Sequence, residues 1–408
     1  MKIAIIGGGA SGIACAVSLK KQNKSIDVTV YEKMPRVMKK ILATGNGRCN
    51  LTNVYSSEEY FRGSVGFLET AFKKYPPKEN MRFFSSMGLL LREEAQGRVY
   101  PVSGQASSVV NILLSQCESL KINLITDTEI KSIEKDKTGF LLNGKIMADA
   151  VVISAGGSAA KSLGTDGGSF RMLKGLDIKT VKPVPALTGV IAENFPKSLK
   201  GVRNICTVSL EENGKTLYTE KGEVQFNDYG LSGIPVMQLS GLAARSRFEN
   251  TVLTLDTLPD TSETDAASFF IRIKGAYPQK SAEEFVCGIL PKALGNYLLM
   301  LCNIKKDTPL ESISNDKLKQ FAKLLKNWKI KITAVRDFEF AQTTSGGVDT
   351  DELDPKTLMS RKYKNLYVTG EAVNIDGLCG GHNLQWAWSS GRLCADSILK
   401  ENKLVKDK

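Results

Sequence analysis

Gly7, Gly9 and Gly12, within Gly7-Gly8-Gly9-Ala10-Ser11-Gly12, carry the G-x-G-x-x-G spacing, and Glu32 follows twenty residues after the last of them. Each glycine has a separate task in this pattern. Gly7 permits a tight turn, Gly9 lets a pyrophosphate approach the backbone, and Gly12 permits close helix–strand packing. An acid at the position of Glu32 accepts hydrogen bonds from ribose hydroxyls and would repel a 2′-phosphate. The chemistry this spacing supports is binding of FAD or NAD, not NADP.

The flanking elements must hold these residues in place. Residues 3–6 are an apolar run that reads as a buried strand. A helical pattern follows through Ile13, Ala14, Val17 and Leu19, and residues 28–31 read as a second strand ending at Glu32. The start of the helix offers unpaired N–H groups and the positive end of its dipole to phosphates. A second signal lies near the other end of the chain. Residues 366–369 read as a strand entering Gly370-Glu371. A loop with Gly377, Gly380 and Gly381 then leads into a helix over 383–399. Glu371 suits a ribityl hydroxyl, and the helix start suits negative charge at the N1/O2 edge of a reduced flavin. NAD needs no such distant second element, so the pair of signals points to FAD.

The chain has 408 residues, enough for two or three domains at the usual ~100–200 residues each. No apolar run reaches the ~20 residues of a membrane helix, and no leader pattern stands before the first strand. The eight cysteines form no C-x-x-C pair and show no zinc-ligand spacing, so no metal site is expected. Together these features predict a cytoplasmic protein without membrane partners. The net charge of +12 invites a nucleic-acid reading. The lysines are spread along the chain, however. Their densest run, residues 316–331, sets Leu318, Phe321, Leu325 and Trp328 on one helical face with lysines elsewhere. A surface helix is expected there, not a nucleic-acid grip.

Between the two signals the character changes near Pro183-Val184-Pro185. Residues 187 to about 255 show short strands and turns, residues 259–327 are helical, and strands resume at 338–342. This β-then-α block reads as an insert. The expected fold is α/β, a Rossmann-like domain built in two parts around that insert. The expected divisions are 1–186, 187–258, 259–335 and 336–408.

Residues 42–53 (LATGNGRCNLTN), 222–233 (GEVQFNDYGLSG) and 377–391 (GLCGGHNLQWAWSSG) carry a more specific likeness. With them the chain resembles the BaiN-like, aminoacetone oxidase-type family of FAD-dependent oxidoreductases, essentially end to end. The resemblance implies an insert with a β-barrel-like part and a helical part. It also implies FAD contacts at Gly7, Gly9, Ala10, Ser11, Gly12, Glu32 and Lys33, with Ile130 at adenine and Ala155 and Gly156 nearby. Asn46, Gly47, Arg48, Cys49 and Asn50 would run along the pyrophosphate toward the isoalloxazine. Gly370, Glu371, Gly381, His382, Asn383 and Leu384 would meet the ribityl and pyrimidine end. His382 stands where relatives carry an aromatic residue.

Three residues are candidates for the chemistry itself. Cys49 reads either as a thiol whose pKa Arg48 lowers or as packing beside the cofactor. His382, the only histidine, reads as a proton-transfer group or as a stacking residue. Asp228 reads as an anchor for a substrate ammonium group or as an exposed turn residue. Residues 151–164 lack the acid-ended second strand of another dinucleotide site, so NAD(P)H is expected only as a transient reductant. The leading expectation is oxidation of a small amine, with oxygen reoxidising the flavin. The alternatives are NAD(P)H-dependent reduction of an enone-type C=C, and an RNA-binding or redox-sensing flavoprotein.

Overall fold

The computed structural model describes residues 1–246 and 248–403. The chain divides into two compact units. One joins Met1–Val184 to Gln342–Lys408, and the other is Pro185–Ala341.

The first unit is built on a five-stranded parallel sheet. Strand β1 (Lys2–Ile6) lies at its centre. Strand β2 (Asp27–Tyr31) pairs on one side and Ala150–Ile153 on the other, with Asn123–Ile125 and Leu366–Val368 at the edges. Ile3, Ile5, Val151, Val152 and Ile153 are buried, the continuous apolar pattern of a parallel sheet covered on both faces. Helix α1 (Ala10–Gln22) returns the chain from β1 to β2.

The last helix, His382–Glu401, lies against α1. A Cβ at Gly391 would stand 2.2 Å from the Ser11 carbonyl oxygen, so only glycine admits this approach. Trp386 and Trp388 point to different sides of the helix, yet both are buried, because the helix is enclosed nearly all round. Their indole N–H groups donate to the carbonyls of Gly370 and Leu51, both at 2.9 Å. Residues 58–95 combine the helices Glu69–Lys74 and Pro77–Ser85 with the short strands Phe61–Gly63 and Leu91–Glu94.

The second unit contains a closed six-stranded barrel. Its strands run in the order Val190–Ala192, Gly230–Ser232, Lys215–Phe226, Arg203–Glu212, Thr251–Asp256 and Trp328–Val335. The helices between residues 263 and 326 form an excursion between its last two strands. This corrects two expectations. The β-rich part does not end at 258, and residues 338–342 are not a strand but lie between two, Trp328–Val335 and Thr343–Val348. The reason is a change of period. Trp328, Ile330 and Ile332 are buried and alternate with exposed Lys329, Lys331 and Thr333, whereas Trp328 also continues the apolar face of the preceding helix. That helix, Asn315–Lys326, buries Leu318, Phe321 and Leu325 as its spacing predicts. The Phe226 and Trp328 rings stack in the unit's core at 6.0 Å.

Candidate functional site

In the first unit, the turn out of β1 follows from glycine. Gly7 has φ +106°, and a Cβ there would meet the Ser154 carbonyl oxygen at 2.5 Å. A Cβ at Gly12 would stand 2.1 Å from the Gly7 oxygen, so α1 can seat against the turn only without a side chain. Gly9 differs, because a Cβ there would meet nothing within 4 Å. Its surroundings are open, and it caps α1 with no side-chain hydrogen bond and no acid in the first turn. Free N–H donors beside open space form an anion-binding helix start. Ala10 and Ser11 open that helix.

Glu32 faces this turn. Its carboxylate accepts hydrogen bonds from the backbone N–H of Gly8 at 2.9 Å and of Met34 at 2.8 Å. The backbone N–H of Thr128 donates to the Glu32 carbonyl, which brings the buried Ile130 close in chain to the end of β2. Lys33 pairs with Asp166 at 2.6 Å. Ala155 packs on Gly7, and Gly156 turns at φ +73°.

The C-terminal segment reaches the same place. A Cβ at Gly370 would meet Ser11 Oγ at 2.6 Å, so the end of the Leu366–Val368 strand abuts the first turn of α1. Glu371 accepts from the Thr344 N–H at 2.9 Å and pairs with Lys40 at 2.7 Å. Lys40 and Thr344 were not legible as site neighbours. One is half of a Lys-Lys pair and the other lies in an ordinary strand, so only the tertiary contact marks them.

The GNGRCN loop coils tightly. Gly45, Asn46, Gly47 and Cys49 all have positive φ, between 55° and 82°. Glycine and asparagine accept this readily, whereas Cys49 is held there under strain. Cys49 is fully buried, and burial pushes its thiol up to about 12. Arg48 does not activate it. The guanidinium is drawn to Glu94 at 2.5 Å and lies 4.1 Å from the centre of the Tyr100 ring. Cys49 is thus a buried, protonated thiol set apart from the charge of Arg48.

Asn50 is buried, and its Oδ1 has no hydrogen-bond partner among the described residues. A Cβ at Gly381 would stand 2.8 Å from that oxygen, so it lies at the start of the last helix. An orphaned buried acceptor calls for a donor. Asn383 clamps the adjoining loop, accepting from Gly377 N at 2.8 Å and donating to Gly377 O at 2.7 Å. Leu384 packs against the core from a half-buried position.

His382 is buried, its ring stacked on Tyr60 at 4.5 Å and edge-on to Phe61 at 6.0 Å. Its Nδ1 shares a 2.6 Å hydrogen bond with Ser56 Oγ. Burial, aided by the charge of Arg98, lowers its pKa to about 4. It is neutral near pH 7 and stands in a cage formed by Tyr60 and Phe61.

In the second unit, Asp228 is exposed at a turn and pairs with Lys200 at 2.6 Å. That hydrogen bond holds its carboxyl below the usual range. Among the described residues there is no metal-ligating cluster and no helix long and apolar enough to cross a membrane.

The profile of the HI0933-like protein Rossmann domain matches residues 1–397. The chain belongs to this family. It is an FAD-dependent oxidoreductase of the BaiN-like type. It is 34% identical over 399 residues to the 3-dehydro-bile acid delta(4,6)-reductase of Clostridium scindens, covering 96% of this chain and 97% of the relative. It is 28% identical over 406 residues to the ribosomal RNA dihydrouridine synthase of Escherichia coli, covering 97% of each. A solved quinol-fumarate reductase structure superposes with a TM-score of 0.51 at 15% identity, over 100% of this chain and 72% of that one, and shows the same fold.

Proposed function

We propose that this family member reduces a C=C bond conjugated to a carbonyl group. The observation that carries the reading is the 34% identity, over nearly the whole of both chains, to a reductase whose name specifies a 3-keto group with 4,6 unsaturation. The dihydrouridine synthase name describes the same chemistry, saturation of a ring C=C next to a carbonyl. Amine oxidation, the leading expectation from sequence, therefore gives way to its enone alternative.

The residues present fit FAD. Gly9 stands beside open space at a helix start, Glu32 is aimed at the same turn, and Asn50 Oδ1 is a buried acceptor without a donor among the described residues. Bound there, FAD would supply hydride transfer at N5, with NAD(P)H as transient reductant. The protein's own part is to bind and orient. The N–H groups of Ala10, Ser11 and Gly12 would hold the pyrophosphate, and Glu32 the adenosine ribose. Glu371, tied down by Lys40 and Thr344, would face the ribityl chain, and Asn50 would accept from the pyrimidine edge. Neutral His382 would hold the entry to the last helix by stacking on Tyr60.

A small-molecule substrate is the preferred reading. Much of the basic charge near residues 316–331 is already paired, Lys326 with Asp256 at 2.5 Å and Lys329 with Glu211 at 3.0 Å. A uracil ring in RNA is the second reading, favoured by the identity to the dihydrouridine synthase and the net charge of +12. The test is anaerobic. The flavin is reduced with NAD(P)H, and then a neutral 3-keto-Δ4 steroid or oligouridylate is added. Return of the oxidised flavin spectrum on adding the steroid supports the first reading, and on adding only the RNA the second. A flavin that neither compound reoxidises, but that small amines reduce, overturns both.

A further inference from the structure

Arg336 follows the last barrel strand, five residues before the end of the second unit. Its backbone N–H donates to the Gly189 carbonyl at 2.9 Å, which ties together the two chain ends of that unit. Its guanidinium lies between two aromatic rings, 3.2 Å from the centre of Phe340 and 4.8 Å from that of Tyr229. Both rings are placed by the backbone. The N–H groups of Phe340 and Ala341 return to the Asp337 carbonyl, which folds Phe340 back over the arginine. Tyr229 packs against Gly189, where a Cβ would come within 2.8 Å of the tyrosine hydroxyl.

Stacking on two faces fixes the plane of a guanidinium and leaves its in-plane N–H donors to act. Among the described residues, no carboxylate or carbonyl takes up those donors. Other cations of this unit, such as Lys200, Lys326 and Lys329, are matched with acids. Phe340 is half exposed, so one wall of the sandwich faces solvent. A rigid, half-buried, unmatched arginine fork suits a planar pair of anionic oxygens.

We propose that Arg336, held between Tyr229 and Phe340, is a recognition residue of the second unit for an anionic oxygen group, a carboxylate or a phosphate. The sandwich carries the recognition, and only the choice of probes rests on the reductase reading. A carboxylate would come from a small acid, a phosphate from a nucleic-acid backbone. The two sources are separable by experiment.

The FAD-loaded full chain is titrated calorimetrically with cholate and, separately, with oligouridylate. R336Q is expected to weaken binding of one of them about tenfold to a hundredfold, the scale of a lost charge-assisted hydrogen bond. R336K, which keeps the charge but loses the fork, is expected to fall between. R272Q alters an arginine stacked on one ring only, Phe269 at 5.4 Å, and serves as the control for loss of surface charge. Weakened cholate binding assigns the group as carboxylate, and weakened oligouridylate binding as phosphate. Binding of neither probe by the unaltered protein, or equal affinities for R336Q, overturns the proposal. So does an equal loss in R272Q. Reoxidation by the neutral steroid does not depend on an anionic group, so it tests the reductase reading separately.

Discussion

Replacing His382 with phenylalanine should make the protein less dependent on pH. Imidazole ordinarily protonates near 6.5, and buried His382 does so only at about 4. Between these values the unfolded chain binds the proton and the folded one does not, so stability rises with pH across that window. For this one group the linkage amounts to about 2 kcal/mol lost on going from pH 7.5 to pH 5, rising toward about 3 kcal/mol below pH 4. No other histidine contributes, since the chain has only this one. Phenylalanine keeps the stack on Tyr60 and the edge contact with Phe61 but leaves buried Ser56 Oγ without its ring partner, a loss of about 1 kcal/mol. The variant should therefore be slightly less stable at pH 7.5 and slightly more stable at pH 5. Urea unfolding followed by flavin fluorescence, at a fixed concentration of free FAD, measures both. Carboxylates titrate alike in the two proteins and cancel in the difference. Identical pH dependence of the two stabilities would refute the reasoning.

Two further predictions concern the cradle and the thiols. Gly9→Ala should fold normally yet lose FAD, because its new methyl group enters open space where the pyrophosphate is expected. Gly12→Ala should lose FAD and also about 1–3 kcal/mol of stability, because its methyl group meets backbone at 2.1 Å. The flavin-to-protein ratio and the melting temperature check the pair, and equal flavin content in either variant and the parent would count against the cradle. Iodoacetamide at neutral pH should modify exposed Cys287 and spare Cys49, whose thiol lies buried and protonated. Peptide mass spectrometry reads the order, and Cys49 labelled as fast as Cys287 would contradict its burial.

Much of the first unit was legible because its signals are local. The strand–glycine–helix–strand–acid run places β1, α1, β2 and Glu32 through chain geometry alone, and the Gly370-Glu371 strand end and its following helix are equally local. Periodicity likewise marked Leu318, Phe321 and Leu325 as the buried face of one helix. Where two periods overlapped, the local signal failed. Trp328 satisfies both the helix before it and the strand it begins, and pairing with Thr251–Asp256 and Val190–Ala192 decides between them.

What the sequence by itself determined is the dinucleotide-binding frame, the two-part use of the chain and the residue types available to the site. Tertiary structure alone decided the state of those residues. Cys49 and Arg48 are neighbours in sequence, yet burial raises the thiol while Glu94 and Tyr100 take the guanidinium. His382 is an ordinary imidazole until Tyr60, Phe61 and Ser56 enclose it. Asp228 is an ordinary turn carboxylate until Lys200, from another part of the chain, pairs with it. Arg336 is one basic residue among many until Tyr229 and Phe340 flank it. Desolvation and ion pairing depend on neighbours distant in sequence, and only the folded chain brings those neighbours together.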